Sequence, residues 1–138
     1  MIFVHNSNSV HFLKSAVMPT AIPIMRVFDY DKTIEFYVKW LGAELEWEHL
    51  PEGAPFYLEI RIHGVRIHLS EHHGDCSPGA KVLIVDFQGL EAFHGKLIAS
   101  KYPYMRPGLE DVFWDPSLQS VTVIDPFFNR LQFVGPRA

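Results

Sequence analysis

A chain of 138 residues that is 48% hydrophobic and 20% charged is long enough to bury one core and too apolar to remain disordered. Its formal charge is −4, with Lys and Arg scattered singly, so the basic stripe that nucleic-acid binding needs is missing. The single cysteine, Cys76, excludes an intrachain disulfide and points to a reducing, cytoplasmic setting.

Residues 1–18 read as an N-terminal extension, with Met18 a candidate alternative start. Asn6, Ser7, Asn8 and Ser9 break its apolar residues, so it lacks the basic and unbroken apolar regions of a signal peptide. No apolar run approaches the roughly 20 residues of a membrane span. A single domain is expected over residues 19–138. Residues 22–28 are apolar and β-branched and predict a strand. Asp31 is the expected N-cap of a helix running to Leu41 and closed by Gly42. Ile34, Tyr37, Val38 and Leu41 recur at helical spacing and form its expected buried face. Residues 43–48 predict a strand, and 51–55 a loop.

Residues 56–63 then alternate, with Phe56, Leu58, Ile60 and Ile62 on one face and Tyr57, Glu59, Arg61 and His63 on the other. Gly64 turns the chain and residues 65–70 alternate again, which makes a hairpin. After a His-, Gly-, Ser- and Pro-containing loop at 71–79 the order restarts. Residues 81–87 predict a strand, Leu90, Phe93 and Leu97 a helix face, and 102–115 an irregular stretch. Residues 121–124 and 130–134 predict a closing hairpin. Val65 to Leu69 matches Asn129 to Phe133 at a constant offset, so the domain divides into two repeats, about residues 20–72 and 80–135. The expected fold is α+β: tandem βαβββ modules whose mixed sheets form a concave ligand groove.

Strand alternation sends Tyr57, Glu59, Arg61, Arg66, His68, Ser70, Thr122, Gln132 and Val134 to the face opposite the helices. His68 and Gln132 take equivalent places in the two halves. A concave face with aromatics and a few polar groups is the usual build of a small-molecule site, and the aromatic share of 14% supplies the material.

Other motifs carry less. His68, Glu71 and His72 spell H-x-x-E-H, but that metalloprotease pattern needs a helix, and this one lies on a strand running into a loop. His72, His73, Asp75 and Cys76 are too close in sequence to turn onto one ion and read as a solvated loop. Cys76 has no placed base that would make it a nucleophile. Glu59 and Glu71 are acid–base candidates read more simply as exposed hairpin charges.

The stretches Pro23 to Asp29, Glu35-Phe36-Tyr37 through Leu41-Gly42, His68 to Asp75, and Asp125-Pro126 through Leu131 together resemble the vicinal-oxygen-chelate superfamily, and within it the glyoxalase/bleomycin-resistance group. The resemblance spans about residues 20–135. The superfamily's enzymes hold a divalent metal with one residue from each of four strands. The matching positions here are Ile22, His68, Val82 (or its neighbour Lys81) and Gln132, too few donors for a catalytic metal. The resemblance therefore implies no cofactor and no metal. It implies instead a homodimeric protein of the bleomycin-resistance type that sequesters a cationic or aromatic small molecule, with no nucleic-acid or membrane partner. The ligand-binding residues it implies are Trp47, Phe56, Tyr57, His68, Tyr104, Trp114 and Gln132. Two departures border the groove: Asp115 follows Trp114 where the group often has Gly, and Phe128 replaces the usual Gly of Asp-Pro-x-Gly-Asn. The alternative is a metal-dependent lyase, transferase or dioxygenase of the same superfamily.

Overall fold

The computed structural model describes residues 17–138, so most of the expected N-terminal extension lies outside the described residues. The first module runs β1 (Ile24–Arg26), α1 (Tyr30–Thr33) continuing into a π-helical stretch (Ile34–Trp40), β2 (Glu44–His49), β3 (Tyr57–Ile62) and β4 (Val65–Ser70). The second runs β5 (Lys81–Ile84), α2 (Leu90–Ala99), β6 (Glu110–Asp111), β7 (Leu118–Ile124) and β8 (Arg130–Pro136). Each makes a four-stranded sheet in the same order, β1-β4-β3-β2 and β5-β8-β7-β6, with the first pair parallel and the others antiparallel. The repeat read from sequence is thus a repeat of topology.

Alternation explains which sheet face is buried. Leu58, Ile60, Ile67, Leu69, Val121, Val123, Leu131 and Phe133 are almost fully buried under the helices, in one continuous cluster that joins both modules. Phe87 and Phe93 close it over β8. Gly135 lets β8 pass this layer, since a Cβ there would overlap the Phe87 carbonyl oxygen. The β3–β4 turn places both His63 and Gly64 at positive φ, the geometry of a two-residue hairpin loop that follows sheet twist.

The first helix departs from expectation in two ways. Its N-cap is Asp29, whose carboxylate accepts the Lys32 N–H at 2.9 Å; Asp31 stands inside the first turn. Its buried face is Phe36, Tyr37, Trp40 and Leu41, with Ile34 and Val38 half-buried. The two stripes share Tyr37 and Leu41, and the helix rolls to bury the larger aromatic area. Ser70 and Val134, expected on the open face, are buried. Ser70 is capped by the following loop, its hydroxyl donating to Asp75 at 2.6 Å and accepting the His72 N–H.

Candidate functional site

The open face of the first sheet gathers Trp47, Tyr57, Glu59 and His68. In the β3–β4 ladder Glu59 stands opposite His68. A bulge in β2 between Leu45 and Trp47 brings Trp47 opposite Glu59. If the strand ran on from Leu45 without bulging, strict alternation would set Glu46 against Glu59, two like charges, and turn Trp47 into the core.

His68 is held at both ring nitrogens. Its Nε2 lies 2.9 Å from Glu59 Oε1 and its Nδ1 2.6 Å from the Tyr57 hydroxyl oxygen. A carboxylate only accepts, so Nε2 carries a proton, and the Tyr57 hydroxyl occupies Nδ1. Tyr57 keeps its proton, because burial, then Asp75, Cys76 and Glu59, push the phenol above its ordinary value. Glu59 is buried, not the exposed hairpin charge expected. Trp47 stacks on Tyr57 at 5.8 Å with an interplanar angle of 10° and meets His68 edge-on. Tyr57 and Trp47 together form an aromatic shelf beside the Glu59–His68 pair, with His72 at its edge.

The remaining expected site residues separate from this cluster. Phe56 is 3% exposed and belongs to the core beside Tyr30; it has the parity of Leu58 and Ile60, so it offers no ring to a ligand on the open face. Tyr104 lies on the helix side, against Tyr102. Gln132 is half-buried on the open face of the second sheet, between Leu83 and Thr122. Trp114 follows β6, its ring edge-on to the exposed Phe113. His68 takes its partners from its own sheet, not from Gln132.

The matching metal positions do not fit a metal. Ile22 precedes β1, and the strand residue directly beside His68 is Ile24, as Leu83 is beside Gln132; all three are hydrocarbon. Ladder parity places Lys81 with Leu83 on the open face and sends Val82 toward the core, which corrects the choice of Val82. A lysine ammonium has no lone pair to give, and both His68 ring nitrogens are already engaged, by Glu59 and by Tyr57.

Sequence reasoning missed Arg26. It is 8% exposed, donates from Nη1 to the Val27 carbonyl at 2.8 Å and lies 4.4 Å over the Phe28 ring. With Phe28, Pro55 and Glu71 it lines an open cleft of about 430 Å³ at the loop end of this face. Its one sequence signal is a lone cation within an apolar strand.

The sequence matches the family described as glyoxalase superfamily protein over residues 7–137. No functionally curated protein matches it. Among solved structures, it is similar to a bleomycin resistance determinant encoded on the transposon Tn5, at 16% identity and a TM-score of 0.64, covering 88% of this chain and 100% of that one. It is also similar to the bleomycin-binding protein from bleomycin-producing Streptomyces verticillus, at 20% identity and a TM-score of 0.58, covering 88% and 99%. A glyoxalase family protein from Bacillus anthracis matches at 18% identity and a TM-score of 0.56, over the same shares of the two chains.

Proposed function

The chain belongs to the glyoxalase superfamily, and from that premise we propose that it is a non-catalytic binding protein of the bleomycin-resistance type, sequestering an aromatic or cationic small molecule. The observation that carries this reading is the state of the superfamily's metal positions: hydrocarbon or ammonium at the β1 and β5 places, and an imidazole already bonded at both nitrogens. What stands there instead supports a binding role. Trp47 and Tyr57 offer parallel ring faces for stacking or cation–π contact, beside the Glu59 carboxylate. Two of the structural relatives are described as binding bleomycin or conferring resistance to it, which supports the same class of ligand.

Homodimerisation belongs to this proposal. Ile24, Leu83, Val85, Phe113 and Trp114 are exposed apolar side chains that a second copy would cover, completing a groove between the two sheets. A cytoplasmic location and a resistance phenotype belong to it as well. Among the described residues no helix is long and apolar enough to cross a membrane.

The test is titration of the chelated, metal-free protein with bleomycin, followed by tryptophan fluorescence and by calorimetry. Saturable binding is expected without metal, weakened about tenfold by Trp47→Ala through the lost stacking surface. The reading fails if elemental analysis finds one tightly held metal per chain and binding depends on it. One observation favours a catalytic second reading: Glu59, His68 and Tyr57 are bonded in the order of an acid–base relay. Turnover of a bound ligand by metal-free protein, lost in His68→Ala, would put that reading first.

A further inference from the structure

On the helix side of the sheets, the first helix, the loop after α2 and the β7–β8 turn line an open-mouthed cavity of about 450 Å³, a volume within the usual range for small-molecule pockets. Tyr102 lines its floor. The residue is 8% exposed and its ring stacks on Trp40 at 4.7 Å, yet among the described residues its hydroxyl has no hydrogen-bond partner. A buried phenol nearly always finds one, because an unmade hydrogen bond there costs its full desolvation. Burial, then Glu35 and Tyr104, push this phenol above its ordinary value, so it remains an O–H donor at neutral pH. What it lacks among the described residues is an acceptor.

The walls are aromatic. Tyr104 meets Tyr102 edge-on at 5.3 Å and is 75% exposed. Opposite, Phe128 is 76% exposed and sits at φ 71, a backbone conformation that disfavours any side chain and that a glycine would adopt freely. Strain of this kind is retained where it places a group usefully; here it sets an apolar ring at the cavity mouth. Met105 adds a polarizable wall. The lining holds three ionisable side chains: Lys32 and Glu35, of opposite sign, and Asp125, whose carboxylate is already taken up by Tyr37, Phe127 and Asn129.

We propose that this cavity is a second ligand site, for an uncharged planar aromatic molecule bearing a hydrogen-bond acceptor, such as an aryl carbonyl. Its acceptor meets the Tyr102 hydroxyl and its ring lies between Tyr104 and Phe128. The site shares no residue with the Trp47–His68 face and stands whether that face sequesters or catalyses.

Labelling the full chain with methyl-¹³C methionine gives a spectrum of four methyls, of which Met105 reports on the cavity and Met25 on the core. Acetophenone is the probe, and isopropylbenzene its counterpart without an acceptor. A saturable shift confined to Met105 is expected with acetophenone, with isopropylbenzene binding about tenfold more weakly. Tyr102→Phe, which keeps the stack on Trp40, is expected to remove that preference. Phe128→Gly is expected to weaken acetophenone binding while leaving Tm at or above that of the parent protein. Trp47→Ala should change none of this, so failure here is distinct from failure at the other face. The proposal is overturned if acetophenone leaves Met105 unmoved, if Tyr102→Phe binds both probes as before, or if Phe128→Gly lowers Tm without affecting binding. A Met105 shift that follows protein concentration alone would also overturn it, by making the cavity a contact between copies.

Discussion

His68 is fixed from both sides of its ring, and the two bonds differ in what their loss would leave behind. Removing the Tyr57 hydroxyl leaves one ring nitrogen without its partner while the other stays bonded to Glu59. Tyr57→Phe should therefore cost only about 1 kcal/mol, the usual net worth of one hydrogen bond. Removing the imidazole strands the Glu59 carboxylate, whose side chain is 8% exposed, without the donor that faces it. His68→Ala should cost about 2 to 3 kcal/mol, and adding Glu59→Gln should recover part of that loss by removing the buried charge. Urea denaturation of the three variants checks the order. Equal costs for Tyr57→Phe and His68→Ala would mean that Glu59 finds water or another donor. Sequence reasoning placed Tyr57, Glu59 and His68 on one face by parity alone. It could not see that Glu59 is buried, because burial of a strand residue depends on what covers the sheet.

The β2 bulge is a single residue that sets which way Trp47 faces. Because Leu45 pairs with Ile60 and Trp47 with the next residue of the ladder, Glu59, deleting Glu46 should remove the bulge and leave Trp47 opposite Glu59 in plain alternation. The expected result is a folded protein that keeps Trp47–Tyr57 stacking, read as retained tryptophan quenching by bound ligand, with a stability change under about 1 kcal/mol from the lost Glu46–Arg61 pair. Lost quenching would show that the strand takes a new register instead of closing the gap. A bulge of this kind has no sequence signature, and residues 43–48 read equally well as an unbroken strand. The first helix poses the same difficulty. Phe36-Tyr37 and Trp40-Leu41 form a second apolar stripe overlapping the one at Ile34, Tyr37, Val38 and Leu41. Spacing alone cannot choose between two faces that share half their members; packing against α2 and Tyr102 does. In α2, Leu90, Phe93 and Leu97 offered a single stripe, and all three are buried.

At the scale of the molecule, the duplicated topology was legible because both modules repeat the same order of patterns, while the joint between them was not, since it is made by residues remote in sequence. Asp125 forms that joint. Its carboxylate accepts the Tyr37 hydroxyl of the first module at 2.6 Å, as well as the backbone N–H groups of Phe127 and Asn129. The Asn129 side chain donates both to it and to the Arg26 carbonyl, back in the first module. Burial raises the Asp125 carboxyl above its ordinary value despite these donors. The folded state consequently holds this proton more tightly than the unfolded chain. The contribution of Asp125 to stability grows as pH falls through the folded-state value and levels off below the unfolded value of about 3.9. Asp125→Asn removes the titration while keeping the shape of the side chain. Its deficit relative to the parent protein should thus be smaller at pH 7 than at pH 4, measured by urea denaturation at each pH. A deficit that shrinks on acidification would mean that the four donors outweigh desolvation and hold the carboxyl below its ordinary value. The joint would then be an acid-labile link between the two modules, not one that tightens as the proton binds.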